Sequence, residues 1–245
     1  MKNPNAQIAV SIFLLGGINA VTNTLWAATI NASNCSASAV RSTLNLASKG
    51  DTVVIPAGIC TWSTQVSWRA PEDVILKGAG NDSLGGGDQT VIIDNYASND
   101  SLLSITTNLS GRFRMTGVTF QGGAGLVKWN GIVQITGQSK SVRLDHLHVN
   151  MQAYSPHNNG TMIRFSGWVY GVVDHSLFDL QGVGNGIKIS HDAYNGAHEG
   201  DGAFADVTGL GTNKFIFVED NTFNSPTQYG TANDCSHGGD RKSVV

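Results

Sequence analysis

The chain has 245 residues, which is enough for one large domain with a sizeable core. Only 13% of its residues are charged and its formal net charge is −3, which argues against nucleic acid as a partner, because binding phosphates needs a positive surface. The 30 glycines and only 5 prolines favour many strands joined by tight turns, since glycine tolerates positive φ.

The N-terminus has the pattern of an export signal. A single lysine precedes an apolar run over residues 8–21, and Leu25 and Ala27 stand at suitable −3 and −1 positions. We expect a secretory signal peptide over residues 1–28, cut near Ala27 or Ala28. A membrane anchor is the alternative, but glycines interrupt the run, and it is short for a span of about 20 residues. The sequence thus predicts a secreted or cell-surface protein with no later membrane span.

The segment SASAVRSTLNLASKG (36–50) has apolar residues at helical spacing. Ser36 or Ser38 is a suitable N-cap, and Gly50 is suitable as the residue after the C-terminus. We therefore predict a short amphipathic helix that covers the otherwise open end of the first turn of a repeating fold.

Two sets of similar strings recur through the rest of the chain. The first set ends 29 residues apart, and then after a gap of 45: FRMTGVTF (113–120), VRLDHLHV (142–149), GVVDHSLF (171–178) and IFVEDNTF (216–223). The second set precedes it: LLSIT (102–106), GIVQITG (131–137), MIRFSG (162–167) and GIKIS (186–190). Apolar residues alternate within each string, so the pattern predicts short strands stacked in successive rungs.

Three segments carry a family resemblance: NCSASAVRSTLNLASKGDTVVIPAGICTW (34–62), LKGAG (76–80) and the ending EDNTF (219–223). Together they resemble secreted right-handed parallel β-helix proteins of the pectate-lyase-like superfamily. The resemblance implies an all-β, single-stranded right-handed parallel β-helix over residues 29–239, with a helical cap at about 36–50 and rungs at about 52–239. The superfamily includes polysaccharide lyases, glycoside hydrolases and non-enzymatic surface proteins, so the fold alone does not choose a function.

Cysteines and the C-terminus add two expectations. Cys35 and Cys60 are expected to form a disulfide, which would contribute about 3 kcal/mol by closing a loop. Cys235 is left over, as a free thiol or with a partner outside this chain. The last six residues, DRKSVV (240–245), match the translation of a common short-read sequencing adapter. We expect them to be non-native and the domain to be incomplete at its C-terminus; a genuine charged tail is the alternative.

The stretch VRLDHLHVNM (142–151) would suit a metal site, an acid/base pair or a turn. When the rungs are aligned, His146 stacks with Gly117, His175 and Asp220, residue types that tolerate the left-handed region, so we predict a turn there. A zinc site built on the two histidines of this stretch lacks a recurring third ligand.

One position earlier, the alignment stacks Thr116, Asp145, Asp174 and Glu219 on the outward side of the strands. The last three, the acidic column, are either solvated turn residues or candidate catalytic groups and Ca²⁺ ligands, with Asp145 and Asp174 as the pair for Ca²⁺. Separations of about 5 Å and about 10 Å along the column bracket those of retaining and inverting glycosidases. A lyase would instead need Ca²⁺ or a basic group, and a base. No other cofactor is indicated.

Basic side chains also align. The column Ser104, Gln134, Arg164 and Lys188, called the basic column below, and the pair Arg114 and Arg143 suggest either an anionic partner or local salt bridges, and a pairing role is favoured for Arg143. Gln134, Arg164, Lys188 and His175 are the candidate substrate-binding residues on the strands. Tyr194 and His198 join them because they lie in a long polar insertion, residues 191–206, of the kind that often carries binding groups.

The sequence therefore predicts a secreted protein that binds an extracellular polysaccharide and, in the enzymatic version, cleaves it as a lyase or glycoside hydrolase. Asp145, Asp174 and Glu219 would be the catalytic groups. The alternative is a non-catalytic adhesion or carbohydrate-binding module on the same scaffold.

Overall fold

The computed structural model describes residues 27–108, 111–125, 128–151, 158–180, 183–190 and 215–224. Within these residues the protein is mostly strand, every strand pair is parallel, and one short α-helix lies near the start. In chain order the strands are β1 Thr29–Asn31, β2 Thr52–Val54, β3 Gly58–Trp62, β4 Val66–Arg69, β5 Val74–Lys77, β6 Thr90–Asp94, β7 Leu103–Thr107, β8 Arg112–Thr116, β9 Thr119–Gln121, β10 Val133–Asp145, β11 His148–Asn150, β12 Asn158–Asp174, β13 Leu177–Asp179, β14 Val183–Ser190, β15 Ile216–Glu219 and β16 Thr222–Asn224. The all-β prediction is confirmed.

The predicted helix is shorter than its sequence pattern. Helix α1 spans Ala37–Leu44, and the Ser36 hydroxyl caps it by accepting the amide of Ala39. It ends at Asn45 rather than near Gly50, which adopts a positive φ of 87° in the following turn and donates its amide to a carbonyl of the next rung. The helix buries its apolar side against β3 and β4, as expected for a cap.

The strands form three parallel ladders. The first is β4–β7–β10–β12–β14 and the second is β1–β2–β5–β8–β10–β12–β15. Both belong to one curled sheet, because the long strands β10 and β12 pair in their first half with one ladder and in their second half with the other. The third ladder is the separate sheet β3–β6–β9–β11–β13–β16. The chain visits the ladders in turn, which is compatible with a solenoid.

The register matches the alignment of the repeats. In the first ladder Ile105, Ile135, Phe165 and Ile189 are direct neighbours, and the first three are fully buried. Two strings expected to be separate strands are fused in each of β10 and β12. Stacking there is so close that a Cβ on Gly171 would lie 1.8 Å from the carbonyl oxygen of Val142, so this position requires glycine.

The predicted turn after the second ladder is confirmed. His146, His175 and Asp220 have φ values of 50°, 49° and 50°, and Gly117 in the preceding rung has 70°. Each stacked rung therefore turns from the second ladder into the third through one residue in the left-handed region.

The predicted disulfide joins Cys35, just before α1, to Cys60 in β3, with their Cα atoms 5.7 Å apart. The indole of buried Trp62 donates to the Cys35 carbonyl at 2.8 Å, so the cap is attached to the first rung covalently and by a hydrogen bond. Among the described residues, no helix has the length and apolar character needed to cross a bilayer.

Candidate functional site

The second ladder brings the acidic column together as predicted. Asp145 in β10 pairs in register with Asp174 in β12, and Asp174 pairs with Glu219 in β15. Glu219 is exposed, whereas Asp145 and Asp174 are buried although they point away from the core. The column therefore contains two covered carboxylates and one open carboxylate.

Arginines of neighbouring rungs cover the two buried carboxylates. Arg114 in β8 donates from Nε and Nη2 to the two oxygens of Asp145, both at 2.7 Å. Arg143 in β10 makes the same two-pronged contact with Asp174, at 3.1 and 2.7 Å. The predicted pairing role of Arg143 is thus observed, and the partner is the aspartate one rung further on. The two arginine side chains stay 40% and 45% exposed, so they form the outer surface here.

A histidine follows each aspartate and also contacts it. Nδ1 of His146 lies 2.7 Å from Asp145, Nδ1 of His175 lies 2.8 Å from Asp174, and the two rings stack with centroids 5.3 Å apart. A carboxylate accepts a hydrogen bond from the N–H group at Nδ1, so in a neutral ring the hydrogen-bond pattern assigns the lone pair to Nε2. The arrangement is that of two oriented carboxylate–histidine pairs in successive rungs.

Electrostatics keeps Asp145 ionised. Burial acts to raise its pKa, but the hydrogen bonds from Arg114, His146 and Thr116 outweigh burial, and the pKa is lowered. The hydrogen bond to Asp145 raises the pKa of Arg114, and the hydrogen bond to Asp174 raises that of Arg143. A carboxyl with a lowered pKa carries no proton at neutral pH, so the geometry suits Asp145 to hold charge and to orient His146 rather than to donate a proton. The candidate Ca²⁺ pair, Asp145 and Asp174, already has cationic partners.

The basic column lies on the first ladder in the predicted register. Gln134 pairs with Ser104 on one side and Arg164 on the other, and Arg164 pairs with Lys188. All four side chains are half-buried. The Arg164 guanidinium donates to the side chain of Asn130. Trp168, missed at the sequence level, lies further along β12, 41% exposed and beside Gln138. Trp168 follows Gly167, whose φ of 88° breaks the regular alternation of the strand, so its spacing from Arg164 gave no signal of its exposure.

A second group of titratable side chains surrounds His148 on the third ladder, and the sequence reasoning missed it. Nδ1 of buried His148 lies 2.9 Å from Asp88, and Nε2 lies 3.0 Å from Asp179. The column neighbours of His148 are Thr119 and Leu177 as expected, but its partners come from a loop and from a diagonal position. Asp82 belongs to the same loop as Asp88. The four residues Asp82, Asp88, His148 and Asp179 are called the His148 cluster below.

Burial acts to lower the pKa of His148, but the contacts with Asp88 and Asp179 outweigh it and raise the pKa. For Asp88 burial acts to raise the pKa, and the hydrogen bonds from Thr119 and His148 outweigh it and lower the pKa. The cluster is therefore held together by charge-assisted hydrogen bonds among its own side chains.

Lys128 and Asp94 form a buried ion pair at 3.2 Å. Burial lowers the pKa of Lys128. Its Nζ also donates to the carbonyl oxygens of Tyr96 at 2.7 Å and Ser98 at 2.6 Å. These contacts use the three donors of the ammonium, so Lys128 fastens the loop around residues 95–98 and is not placed as a nucleophile.

The candidate residues Tyr194 and His198, the insertion 191–206 and Cys235 lie outside the described residues. Searches of protein-family models, of curated proteins and of solved structures found no match to this chain.

Proposed function

We propose that the chain is an exported right-handed parallel β-helix protein of the pectate-lyase-like type that binds an extracellular acidic polysaccharide along its outer face. Three parallel ladders visited in turn support the β-helix, and parallel crossovers are right-handed in nearly all proteins. The observation that carries the binding proposal is the outward side of the curled sheet, where the basic column of the first ladder is followed, four residues further along β12, by exposed Trp168.

This face has the chemistry that a polysaccharide requires. The side chains of Gln134, Arg164 and Lys188 repeat at about the interstrand spacing of 4.8 Å, so successive sugar units would meet similar donors. An exposed indole offers a flat apolar surface for the C–H face of a sugar ring. The exposed guanidinium edges of Arg114 and Arg143 on the adjoining ladder favour an acidic polymer such as a polyuronate.

Cleavage is the second candidate, and the two carboxylate–histidine pairs favour it. In a β-elimination, Nε2 of His175 would take the proton next to the uronate carboxylate while Asp174 orients the ring. Arg143 would bind that carboxylate. The electron pair left by the proton forms a carbon–carbon double bond, the glycosidic C–O bond breaks, and the leaving oxygen takes up a proton. Glu219 is the member of the acidic column exposed to a substrate and would supply that proton.

Binding is tested by retention of the purified full chain on immobilised polygalacturonate, with a neutral β-glucan as the comparison polymer. We expect salt-sensitive retention on polygalacturonate. The Trp168→Ala variant should bind about three- to tenfold more weakly, the equivalent of 0.5–1.5 kcal/mol of aromatic contact. Trp129→Ala is the matched control, because Trp129 is also exposed but lies before β10 rather than on the sheet face. Equal effects of the two substitutions, or no retention, would contradict the proposal.

Cleavage is tested on the same polymer by the absorbance of the unsaturated product. If the wild type produces it, Asp174→Asn should abolish turnover while leaving retention intact. Unchanged turnover would exclude the acidic column from the chemistry, and retention without product from any acidic polymer would favour the binding module.

The contacts of Ala28 bear on where a signal peptide would be cut. Its amide donates to the buried carboxylate of Asp51 at 2.8 Å, and its carbonyl accepts the amide of Thr52 at 2.8 Å. Cleavage after Ala27 would convert that amide into an α-ammonium facing Asp51 and keep both contacts, whereas cleavage after Ala28 would remove both. The Cys35–Cys60 disulfide is also typical of an oxidising compartment. Mass spectrometry of the secreted chain should find Ala28 at the N-terminus, and an intact leader would contradict the proposal.

A further inference from the structure

The loop between β5 and β6 brings two aspartates to a histidine of the third ladder. Asp82 opens the short 3-10 helix Asp82–Leu84, and Asp88 lies just before β6. His148 is the first residue of β11. One ligand atom from each of Asp82, Asp88 and His148 lies within 4.8 Å of the others.

We propose that Asp82, Asp88 and His148 bind a divalent transition-metal cation of the Zn²⁺ class, through Nδ1 of His148 and one carboxylate oxygen of each aspartate. Imidazole nitrogen with carboxylate oxygen is a donor set that suits Zn²⁺ and its neighbours, whereas Ca²⁺ takes six to eight oxygens. Three protein ligands also leave a coordination position for water.

The far side of the imidazole supports this assignment. Nε2 of His148 lies 3.0 Å from Asp179, which in turn accepts a hydrogen bond from the Asn224 amide at 2.9 Å. A carboxylate on the second ring nitrogen is the arrangement that fixes the tautomer and orientation of metal-binding histidines. It leaves Nδ1 as the ligand atom, and Nδ1 is the nitrogen that faces Asp88.

The loop is also held in place by contacts with neighbouring rungs. The buried side chain of Asn81 donates to the carbonyl oxygens of Val118 and His146, at 3.0 and 2.7 Å, which ties the loop to two neighbouring rungs. The Thr119 hydroxyl donates to Asp88 at 2.7 Å. Asp82 is exposed, so a cation can reach the cluster from solvent.

One alternative uses the same residues without a metal. A doubly protonated His148 would bridge Asp88 and Asp179 by donating from both nitrogens. A bound cation would take the place of the Nδ1 proton, which leaves to solvent, so the measurement is made at pH 8. The two states are told apart by whether the chain takes up one cation at this place.

The experiment is isothermal titration of the chelator-treated full chain with ZnCl₂, repeated with CoCl₂ to record the visible absorption of bound Co²⁺. We expect one Zn²⁺ per chain. Asp82→Asn should weaken binding by more than about tenfold. Changing a residue that only hydrogen-bonds to a metal ligand already lowers affinity by about tenfold, and Asp82 is a proposed ligand itself. Asp82 is exposed, so this variant should fold even if changes at buried His148 do not.

Two controls locate the cation. Asp220→Asn changes an exposed aspartate outside the cluster and should bind as the wild type does. The double variant His146→Gln, His175→Gln removes the stacked histidines and should also bind normally. The proposal is overturned if the wild type takes up no Zn²⁺, if Asp82→Asn binds with unchanged affinity, or if binding is lost only in the double histidine variant.

Discussion

The acidic column and the His148 cluster both place aspartates beside histidines, but the partners of those aspartates differ. On the second ladder Asp145 and Asp174 are each neutralised by an arginine from the preceding rung. On the third ladder the ion-pair partner of both Asp88 and Asp179 is His148, their other side-chain donors are the neutral Thr119 and Asn224, and Asp82 of the adjoining loop adds another carboxylate. The first arrangement holds its charges in fixed pairs, while the second has an excess of negative ligands that a cation would balance.

Removing an arginine that pairs with the acidic column should have the largest effect on stability. Arg114→Met leaves the buried Asp145 without its two-pronged partner, and we expect a loss of about 2 kcal/mol in the free energy of unfolding. That figure is below the usual 3–5 kcal/mol for a broken buried pair, because Arg114 is partly solvated. Urea denaturation measures it.

Arg112→Met is the matched control for this prediction. Arg112 also pairs with an aspartate, Asp73, but the Arg112 side chain is 75% exposed and that of Asp73 27%, against 0% for Asp145, so the loss should stay below about 0.5 kcal/mol. Equal losses in the two variants would show that burial of Asp145 is not what makes its pair important.

Lowering the pH should reduce the stability that the acidic column contributes. The pKa of Asp145 is lowered in the folded protein, so its contribution is complete above the unfolded value of about 3.9 and is lost as the pH falls through the folded value. Denaturation curves between pH 6 and pH 3 should show stability falling less steeply for Asp145→Asn than for the wild type. Parallel pH profiles would contradict this assignment.

Asp179, the partner of Nε2 in the His148 cluster, should affect Zn²⁺ affinity rather than the fold. Asp179→Asn removes a charge from Nε2 of His148 and should weaken Zn²⁺ binding by about tenfold without abolishing it. Zinc titration of this variant beside Asp82→Asn tests the order of the two effects. A loss at Asp179 larger than that at Asp82 would reverse the assigned roles.

The smallest effect is expected at the open end of the acidic column. Glu219→Gln should change stability by less than about 0.5 kcal/mol, because Glu219 is exposed although it stands in register with Asp174. The thermal unfolding midpoint of the Glu219→Gln variant should therefore match that of the wild type. A large loss would mean that the three carboxylates act as one unit.

Contacts along a ladder were predictable because parallel strands repeat at a fixed period. That period placed Asp145, Asp174 and Glu219 in one column and identified the left-handed turn at His146 and His175. Burial of the column was not predictable, because it depends on arginine side chains folding back over their neighbours.

Loop contacts had no such signal. Asp88 reaches His148 across 60 positions, and the loop that carries it follows no repeat. The end of α1 at Asn45 rather than near Gly50 has a similar origin, since local hydrogen bonds of the turn outweigh the apolar spacing. Periodicity thus predicts the scaffold, while attachments to it depend on side-chain geometry.

The ammonium of Lys128 has one further consequence. It is 1% exposed and bound to two carbonyl oxygens and Asp94, so an amine-reactive reagent cannot reach it while the loop is fastened. Lys49 and Lys77, both exposed, should be modified at once under the same conditions. The rate at which Lys128 is modified would therefore report the rate at which this loop opens spontaneously, and the measurement needs no label added to the native protein.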